Sequence, residues 1–142
     1  MLVSSSNDKK TAITRYLGEL TPLKKIPDYK GEGWGITPKN KEQNFAMDLL
    51  YDENVPVISL IGKAGSGKTL CAIAAGLEQV MGQDPKYNRL IVSRPIQPMG
   101  KDIGYLPGTM EEKMAPWLAP IQDNLRFLFG NDNLMLESYM EK

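Results

Sequence analysis

The chain has 142 residues, of which 42% are hydrophobic, so it can form one modest domain with a sizeable core but not two full domains. Its 17 basic and 17 acidic side chains cancel, which excludes a global field attracting nucleic acid or membrane. A single cysteine excludes a disulfide within the chain. The sequence has no recognisable signal peptide and no run of about 18 apolar residues, so we expect a cytoplasmic protein without membrane association.

The first part of the chain, residues 1–35, is polar and interrupted by prolines and glycines. This composition is typical of a linker or flexible arm. We therefore expect the domain itself to occupy residues 36–142.

A helix is predicted to begin near Thr37, the expected N-cap, with Pro38 at the first helical position. Its predicted apolar face comprises Phe45, Ala46, Leu49 and Leu50. Gln43 lies on this helix, and its side-chain amide can donate to and accept from an adenine edge. Taken alone, Gln43 is open to two interpretations, an adenine contact and an ordinary surface glutamine.

The strongest pattern begins with an apolar run at residues 57–61, which predicts a short buried strand. The next eight residues, Gly62–Thr69, match the pattern G-x-x-x-x-G-K-[ST]. Apolar residues then recur at helical spacing up to Gly82, a candidate C-cap; they are Leu70, Ile73, Ala74, Leu77 and Met81. Because strand, motif and helix occur in the order that phosphate binding requires, we predict nucleotide binding at Gly62–Thr69, hereafter the phosphate loop.

The glycines, Lys68 and Thr69 of the phosphate loop have expected roles, whereas Lys63 and Ser66 fill permissive positions. The glycines let backbone N–H groups turn toward a polyphosphate. Lys68 would reach the terminal phosphates, and the Thr69 hydroxyl would join the shell of a bridging Mg²⁺ ion. The predicted nucleotide contacts are Gln43, Gly62, Lys63, Ala64, Gly65, Ser66, Gly67, Lys68, Thr69 and Leu70.

A second buried strand is predicted at residues 89–93. With the strand at 57–61 and the helix between them, it would form a right-handed unit with parallel strands. The expected fold class is therefore α/β, with a parallel sheet flanked by helices. Ligands gather at the carboxyl ends of such strands, so Ser93 and Arg94 could meet a phosphate of nucleotide or nucleic acid. A surface role for Arg94 is equally open.

Residues 95–109 contain three prolines and three glycines, which predicts a functional loop rather than a strand or helix. Thr109 and Glu112 then match a capping box, and an apolar run predicts a helix that Gly130 ends. Leu134–Met140 is a candidate for one more helix. These segments would form a helical extension of the domain.

Several groups that ATP hydrolysis requires are not recognisable in this sequence. A P-loop ATPase needs an acidic residue at the end of another strand and a group that orients the attacking water. No apolar strand here ends in Asp or Glu. The nearest candidate for such an acidic strand end is Glu137, but the residues around it are typical of a helix. We assign no catalytic residue and expect the N-terminal part of a domain, which alone binds nucleotide without hydrolysing it.

With these motifs in view, residues 34–142 resemble the PhoH family of P-loop ATPases, which is related to the core of superfamily 1 helicases. The resemblance rests on WGITPKNKEQ (34–43), GKAGSGKTL (62–70), SRPI (93–96), GYLPG (104–108), EK (112–113) and PW (116–117). The form of residues 98–108, PMGKDIGYLPG, looks most like the branch in which a PIN-type ribonuclease domain precedes the ATPase. Residues 1–35 would then be the connecting linker.

The resemblance implies ATP and Mg²⁺ as cofactors, adenine recognition by Gln43, and a position facing nucleic acid for Ser93 and Arg94. It also implies an RNA-directed activity, helicase-like or RNA-processing, and a ring-shaped homo-oligomer in the complete protein. The family's acidic magnesium and water site and its later arginines would lie beyond Lys142.

Three alternatives to an RNA-directed ATPase stay open. A small-molecule kinase on the same loop would need lid arginines and an acceptor pocket, and no stretch of the sequence indicates them. A guanine-specific switch would need an Asn-Lys-x-Asp stretch, which does not occur. The third alternative is a module in which nucleotide serves only structure.

Overall fold

The computed structural model describes residues 2–4, 7–29, 34–94, 109–130, 132 and 134. In this part of the chain, four short strands precede three helices. The elements are β1 (Leu2–Ser4), β2 (Asn7–Ala12), β3 (Thr14–Arg15), β4 (Lys24–Lys25), α1 (Lys41–Leu50), α2 (Lys68–Met81) and α3 (Met110–Leu128). None of these described helices has both the length and the apolar character that crossing a membrane requires.

The strands lie in the segment predicted to be a linker or arm, and they pair antiparallel. β1 pairs with β2, and β3 pairs with β4, where Thr14 lies opposite Lys25. Beyond β4, the N–H of Ile26 donates to the carbonyl of Ile13 at 2.9 Å, and the Ile26 side chain is buried. Composition did not indicate this local structure, because a polar segment can still pair its backbone when a neighbouring strand lies in register.

A cluster of charged side chains joins β3 to the C-terminal part of α1 and the residues after it. Arg15 lies 3.2 Å from Asp48 and 2.8 Å from Asp52, while Lys24 lies 3.8 Å from Asp48. The Asp48 side chain is 3% exposed, so its charge needs these partners. Hydrogen bonds from Asn54, and then from Arg15, hold the pKa of Asp52 below its ordinary value. The Asp52 charge therefore stabilises the fold above the ordinary aspartate pKa, and that contribution is lost as the pH falls through the lowered pKa.

Arg15→Ala should destabilise the chain by about 1–3 kcal/mol, because it leaves a buried carboxylate whose remaining cationic neighbour among the described residues, Lys24, is 3.8 Å away. Denaturant unfolding measures this loss. Arg126→Ala is a matched control: Arg126 lies 3.8 Å from Asp123, and both side chains are more than half exposed. The control should cost less than about 0.5 kcal/mol. Equal losses in the two variants would contradict the importance of the Asp48 contact.

α1 begins later than the sequence predicted. Its N-cap is Asn40 rather than Thr37, and the Asn40 Oδ1 accepts a hydrogen bond from the backbone N–H of Gln43 at 2.8 Å. An asparagine side chain caps a helix at least as well as threonine, so the later start is favourable. The predicted apolar face was also partly wrong, since the buried residues of α1 include Met47 and Asp48, whereas Phe45 is exposed.

One face of α2 packs against α3 and the residues before α1. Its buried members, Ile73, Ala74 and Leu77, belong to a cluster that also contains Ile36, Leu128 and Phe129. Leu70 and Met81 pack against the same cluster, so the apolar face predicted for α2 is confirmed. The predicted C-cap is also confirmed, because the N–H of Gly82 donates to the carbonyl of Glu78 at 2.8 Å.

The opposite face of α2 packs against α1. Cys71 and Ala75 form a buried cluster with Met47, and Leu50 and Tyr51 pack against it. Burial raises the pKa of the Cys71 thiol, so the side chain acts as a small apolar group rather than a reactive one. Packing against both neighbours makes α2 the centre of the described core.

The segments predicted as parallel strands, 57–61 and 89–93, form no β-ladder within the described residues. In the first, Ile58 and Leu60 are half-buried, whereas Val57 and Ile61 are 81% and 95% exposed. In the second, Ile91 is 79% exposed. The alternation in the first segment is that of a strand, but a ladder also needs a partner backbone within hydrogen-bonding reach. A parallel sheet is therefore not present in the described part of the chain.

α3 begins directly after Thr109 and continues without a break to Leu128. Gly130, with φ +63°, follows its end, as the sequence predicted. Three other predictions lie wholly or mostly outside the described residues: the capping side chain of Glu112, the loop at 95–109, of which 95–108 are not described, and the helix at Leu134–Met140, of which 135–140 are not described.

Candidate nucleotide-binding site

The phosphate loop joins segment 57–61 to α2 and takes its shape from two glycines. Gly65 and Gly67 have φ values of +74° and +82°, which other L-residues rarely adopt. Gly67 is the N-cap of α2, and no side-chain hydrogen bond caps the helix there. The loop therefore ends at the positive pole of a 14-residue helix, an arrangement that suits a bound anion.

Lys68 places its ammonium group against the loop. The Nζ donates to the carbonyl of Gly62 at 2.9 Å, to the carbonyl of Lys63 at 2.7 Å and to the Ser66 Oγ at 3.3 Å. All three acceptors belong to the phosphate loop. An ammonium group has three donors, so an incoming phosphate would exchange with these oxygen atoms rather than add to them.

The other predicted loop contacts differ in accessibility. Lys63, Ala64 and Thr69 are exposed, whereas Leu70 is half-buried and packs into the core. The side chain of Leu70 therefore serves packing, and its backbone N–H, in the first turn of α2, is the group that could meet a phosphate.

Thr69 is the predicted magnesium ligand within the phosphate loop, and it follows Lys68 in the first turn of α2. Among the described residues, no group of three or more His, Cys, Asp or Glu side chains could hold a metal ion. A lone hydroxyl nevertheless fits Mg²⁺, which keeps several waters and takes further oxygen ligands from substrate phosphates.

α1 brings Gln43 to the phosphate loop. Its Nε2 donates to the carbonyl of Ser66 at 3.1 Å, and its Oε1 accepts from the N–H of Lys39 at 2.7 Å. A Cβ added to Gly67 would lie 2.9 Å from this Nε2, so the amide lies directly over the Gly67 backbone. Sequence reasoning predicted an adenine contact and missed the bond to the loop. The position of Gln43 three residues after Asn40, the spacing of a capping box, indicates only a contact of its side chain with the start of α1.

Two cavities flank Lys68. The first, about 470 Å³, lies between α2 and residues 90–93, and its lining includes Thr69 and Ser93. The second, about 400 Å³, lies between α1 and residues 59–62, and its lining includes Gln43 and Phe45. Ser93 thus shares a cavity with the phosphate loop, and Arg94 follows it as an exposed residue.

The family model for PhoH-like protein matches residues 35–142. Protein PhoH2 of Bacillus subtilis is 55% identical over 110 residues, which are 78% of this chain and 25% of that protein. Protein PhoH2 of Mycolicibacterium smegmatis is 42% identical over 115 residues, covering 79% and 26%. Protein PhoH of Escherichia coli is 38% identical over 90 residues, covering 63% and 24%. No solved structure matches the chain.

The chain spans about a quarter of the length of these curated relatives. The family match nevertheless covers most of the chain, including the phosphate loop, α1 and α3. The chain therefore belongs to the PhoH-like family, which is a family of P-loop ATPases.

Proposed function

We propose that this chain is the ATP-binding part of a P-loop ATPase, and that ATP drives an RNA-directed activity in the complete protein. The observation that carries the ATP proposal is the arrangement of the Lys68 ammonium group within the phosphate loop, at the N terminus of α2. The Lys68 ammonium group, the positive pole of α2 and the glycines with positive φ all favour the same ligand, a chain of phosphates.

In this proposal, Lys68 leaves its carbonyl partners for the oxygen atoms of the terminal phosphates. Hydrogen bonds from an ammonium group to an anionic phosphate oxygen are stronger than those to a neutral carbonyl oxygen, so the exchange favours binding. Thr69 would supply one hydroxyl ligand to Mg²⁺, which neutralises charge on the phosphates when bound.

The base would lie toward α1, where Gln43 has hydrogen-bonding capacity left. A side-chain amide carries two N–H donors and two acceptor lone pairs. Gln43 uses one donor on Ser66 and one lone pair on Lys39. The remaining donor and acceptor complement adenine and are mismatched to the guanine edge. The adjoining cavity of about 400 Å³, with Phe45 in its lining, supplies the space for a base.

For the complete domain we propose a parallel sheet that includes residues 57–61 and 89–93. The exposed aliphatic side chains Val57, Ile61 and Ile91 support this, because such side chains are usually covered by a neighbouring element. The RNA-directed role and a ring-shaped homo-oligomer rest on the resemblance in sequence. Ser93 and Arg94 are the residues proposed to face RNA.

Calorimetric titration of the chain with ATP, ADP and AMP in the presence of Mg²⁺ tests the ATP proposal. ATP and ADP should bind at least tenfold more tightly than AMP, because the loop recognises phosphates beyond the first, and one charge-assisted hydrogen bond is worth about 1.5–3 kcal/mol. Equal affinity for all three would mean that the site recognises the nucleoside instead. No heat with any of them would contradict nucleotide binding.

A further inference from the structure

We infer that Gln43 is a positioning residue for the phosphate loop, and that it supports binding of a phosphate chain whatever base that chain carries. The inference rests on the proposed function of the loop. It starts from the bond between the Gln43 Nε2 and the carbonyl of Ser66, 3.1 Å long, which joins residues 23 apart in sequence. This bond ties the first turn of α1 to the last residues of the loop before α2.

The anchor for this bond is the N terminus of α1. The Asn40 Oδ1 accepts from the N–H of Gln43 at 2.8 Å, and the Gln43 Oε1 accepts from the N–H of Lys39 at 2.7 Å. The two contacts fix the backbone and the side chain of Gln43 together, as in a capping box, except that the side chain accepts from Lys39, the residue before the N-cap. They also determine which end of the amide faces the loop, since the oxygen is engaged by a donor. The Nε2 is therefore held toward Ser66.

The loop side of the contact is equally specific. The amide lies over Gly67, where an added Cβ would lie 2.9 Å from the Nε2. Ser66 carries the second link, because its Oγ accepts from the Lys68 Nζ at 3.3 Å while its carbonyl accepts from Gln43. Gln43 therefore restrains Ser66 and Gly67, the two residues that precede the phosphate-binding lysine.

The Gln43 amide could serve either of two functions, recognising the base or holding the phosphate loop in shape, and the two predict different binding results. A group that only reads the base changes affinity for ATP and leaves a base-free phosphate chain unaffected. A group that holds the loop in its binding shape changes affinity for every ligand that carries the phosphate chain, because the unrestrained loop must be ordered when the ligand binds. Inorganic tripolyphosphate separates these cases, since it has the phosphates of ATP and no base.

The test uses Gln43→Met, which keeps the length of the side chain and removes both hydrogen bonds. Gln79→Met is the matched control: the Gln79 Nε2 also joins α2 to α1, donating to the carbonyls of Leu50 at 3.1 Å and Ala75 at 3.0 Å, at the other end of the helices. Affinities for ATP, GTP and tripolyphosphate are measured by calorimetry. Hydrogen exchange of the backbone amides at residues 63–67 is measured by NMR in the ligand-free chain.

We expect Gln43→Met to lower tripolyphosphate and GTP affinity about three- to tenfold, the effect of one lost hydrogen bond, and ATP affinity by at least as much. Exchange at residues 63–67 should become faster in this variant and stay at the wild-type rate in Gln79→Met. An ATP affinity that falls while tripolyphosphate affinity and loop exchange are unchanged would overturn the inference and leave base recognition as the role of Gln43. Wild-type protein that binds neither ATP nor tripolyphosphate would instead overturn the proposed function, and the inference with it.

Discussion

Lys68→Ala should lower the affinity of the chain for ATP by about 100-fold or more. The Nζ makes three contacts with loop oxygens, and the proposed function transfers these donors to phosphate. One hydrogen bond to a charged group is worth about 1.5–3 kcal/mol, so losing two or more of them accounts for a loss of this size. Calorimetry with Mg²⁺ and ATP measures the loss directly.

The control for Lys68→Ala must remove one positive charge without touching the loop. Lys86→Ala does so, because Lys86 is paired with Glu53 after the end of α2. Its ATP affinity should equal that of the wild type at moderate ionic strength, since screened surface charges contribute little to binding at a distance. If Lys68→Ala binds ATP as tightly as Lys86→Ala does, the nucleotide site has been placed wrongly.

The helix α2 and the glycine turn before it could be predicted because their signals are local. The apolar positions Ile73, Ala74 and Leu77 follow a helical period, and burial on one face of α2 is what that period describes. Glycine at these two motif positions likewise permits the positive φ values that Gly65 and Gly67 adopt. In these stretches the local conformation depends mainly on residues that are close together in the sequence.

The contacts that sequence reasoning missed connect distant residues. Gln43 and Ser66 are 23 residues apart, and Arg15 and Asp48 are 33 apart. Such contacts depend on how α1 packs against its neighbours, which no local pattern encodes. The parallel strands predicted at 57–61 and 89–93 are not paired among the described residues, for a related reason. The alternation at residues 57–61 indicates a strand, but pairing depends on a second backbone lying within reach.

Gly67→Ala should lower ATP affinity on the order of 100-fold, more than any other glycine change in the loop. Two costs combine at this position. Its φ of +82° costs an L-residue about 1–2 kcal/mol, and the new Cβ would lie 2.9 Å from the Gln43 Nε2. The amide must therefore move away from Ser66, so the loop loses its natural backbone conformation and its link to α1 together. Calorimetry with ATP measures the combined effect.

Gly65→Ala separates the two costs. Gly65 has a similar φ of +74°, but no atom lies within 4 Å of its added Cβ, so this variant bears the backbone strain without a collision. We expect its ATP affinity to fall about tenfold, as 1–2 kcal/mol of strain implies. Adding Gln43→Ala should then weaken the Gly65→Ala variant further, but should have little effect on the Gly67→Ala variant, whose amide is already displaced. Equal losses from the two glycine changes, or an additive effect of Gln43→Ala in both backgrounds, would show that the amide and Gly67 do not act together on the phosphate loop.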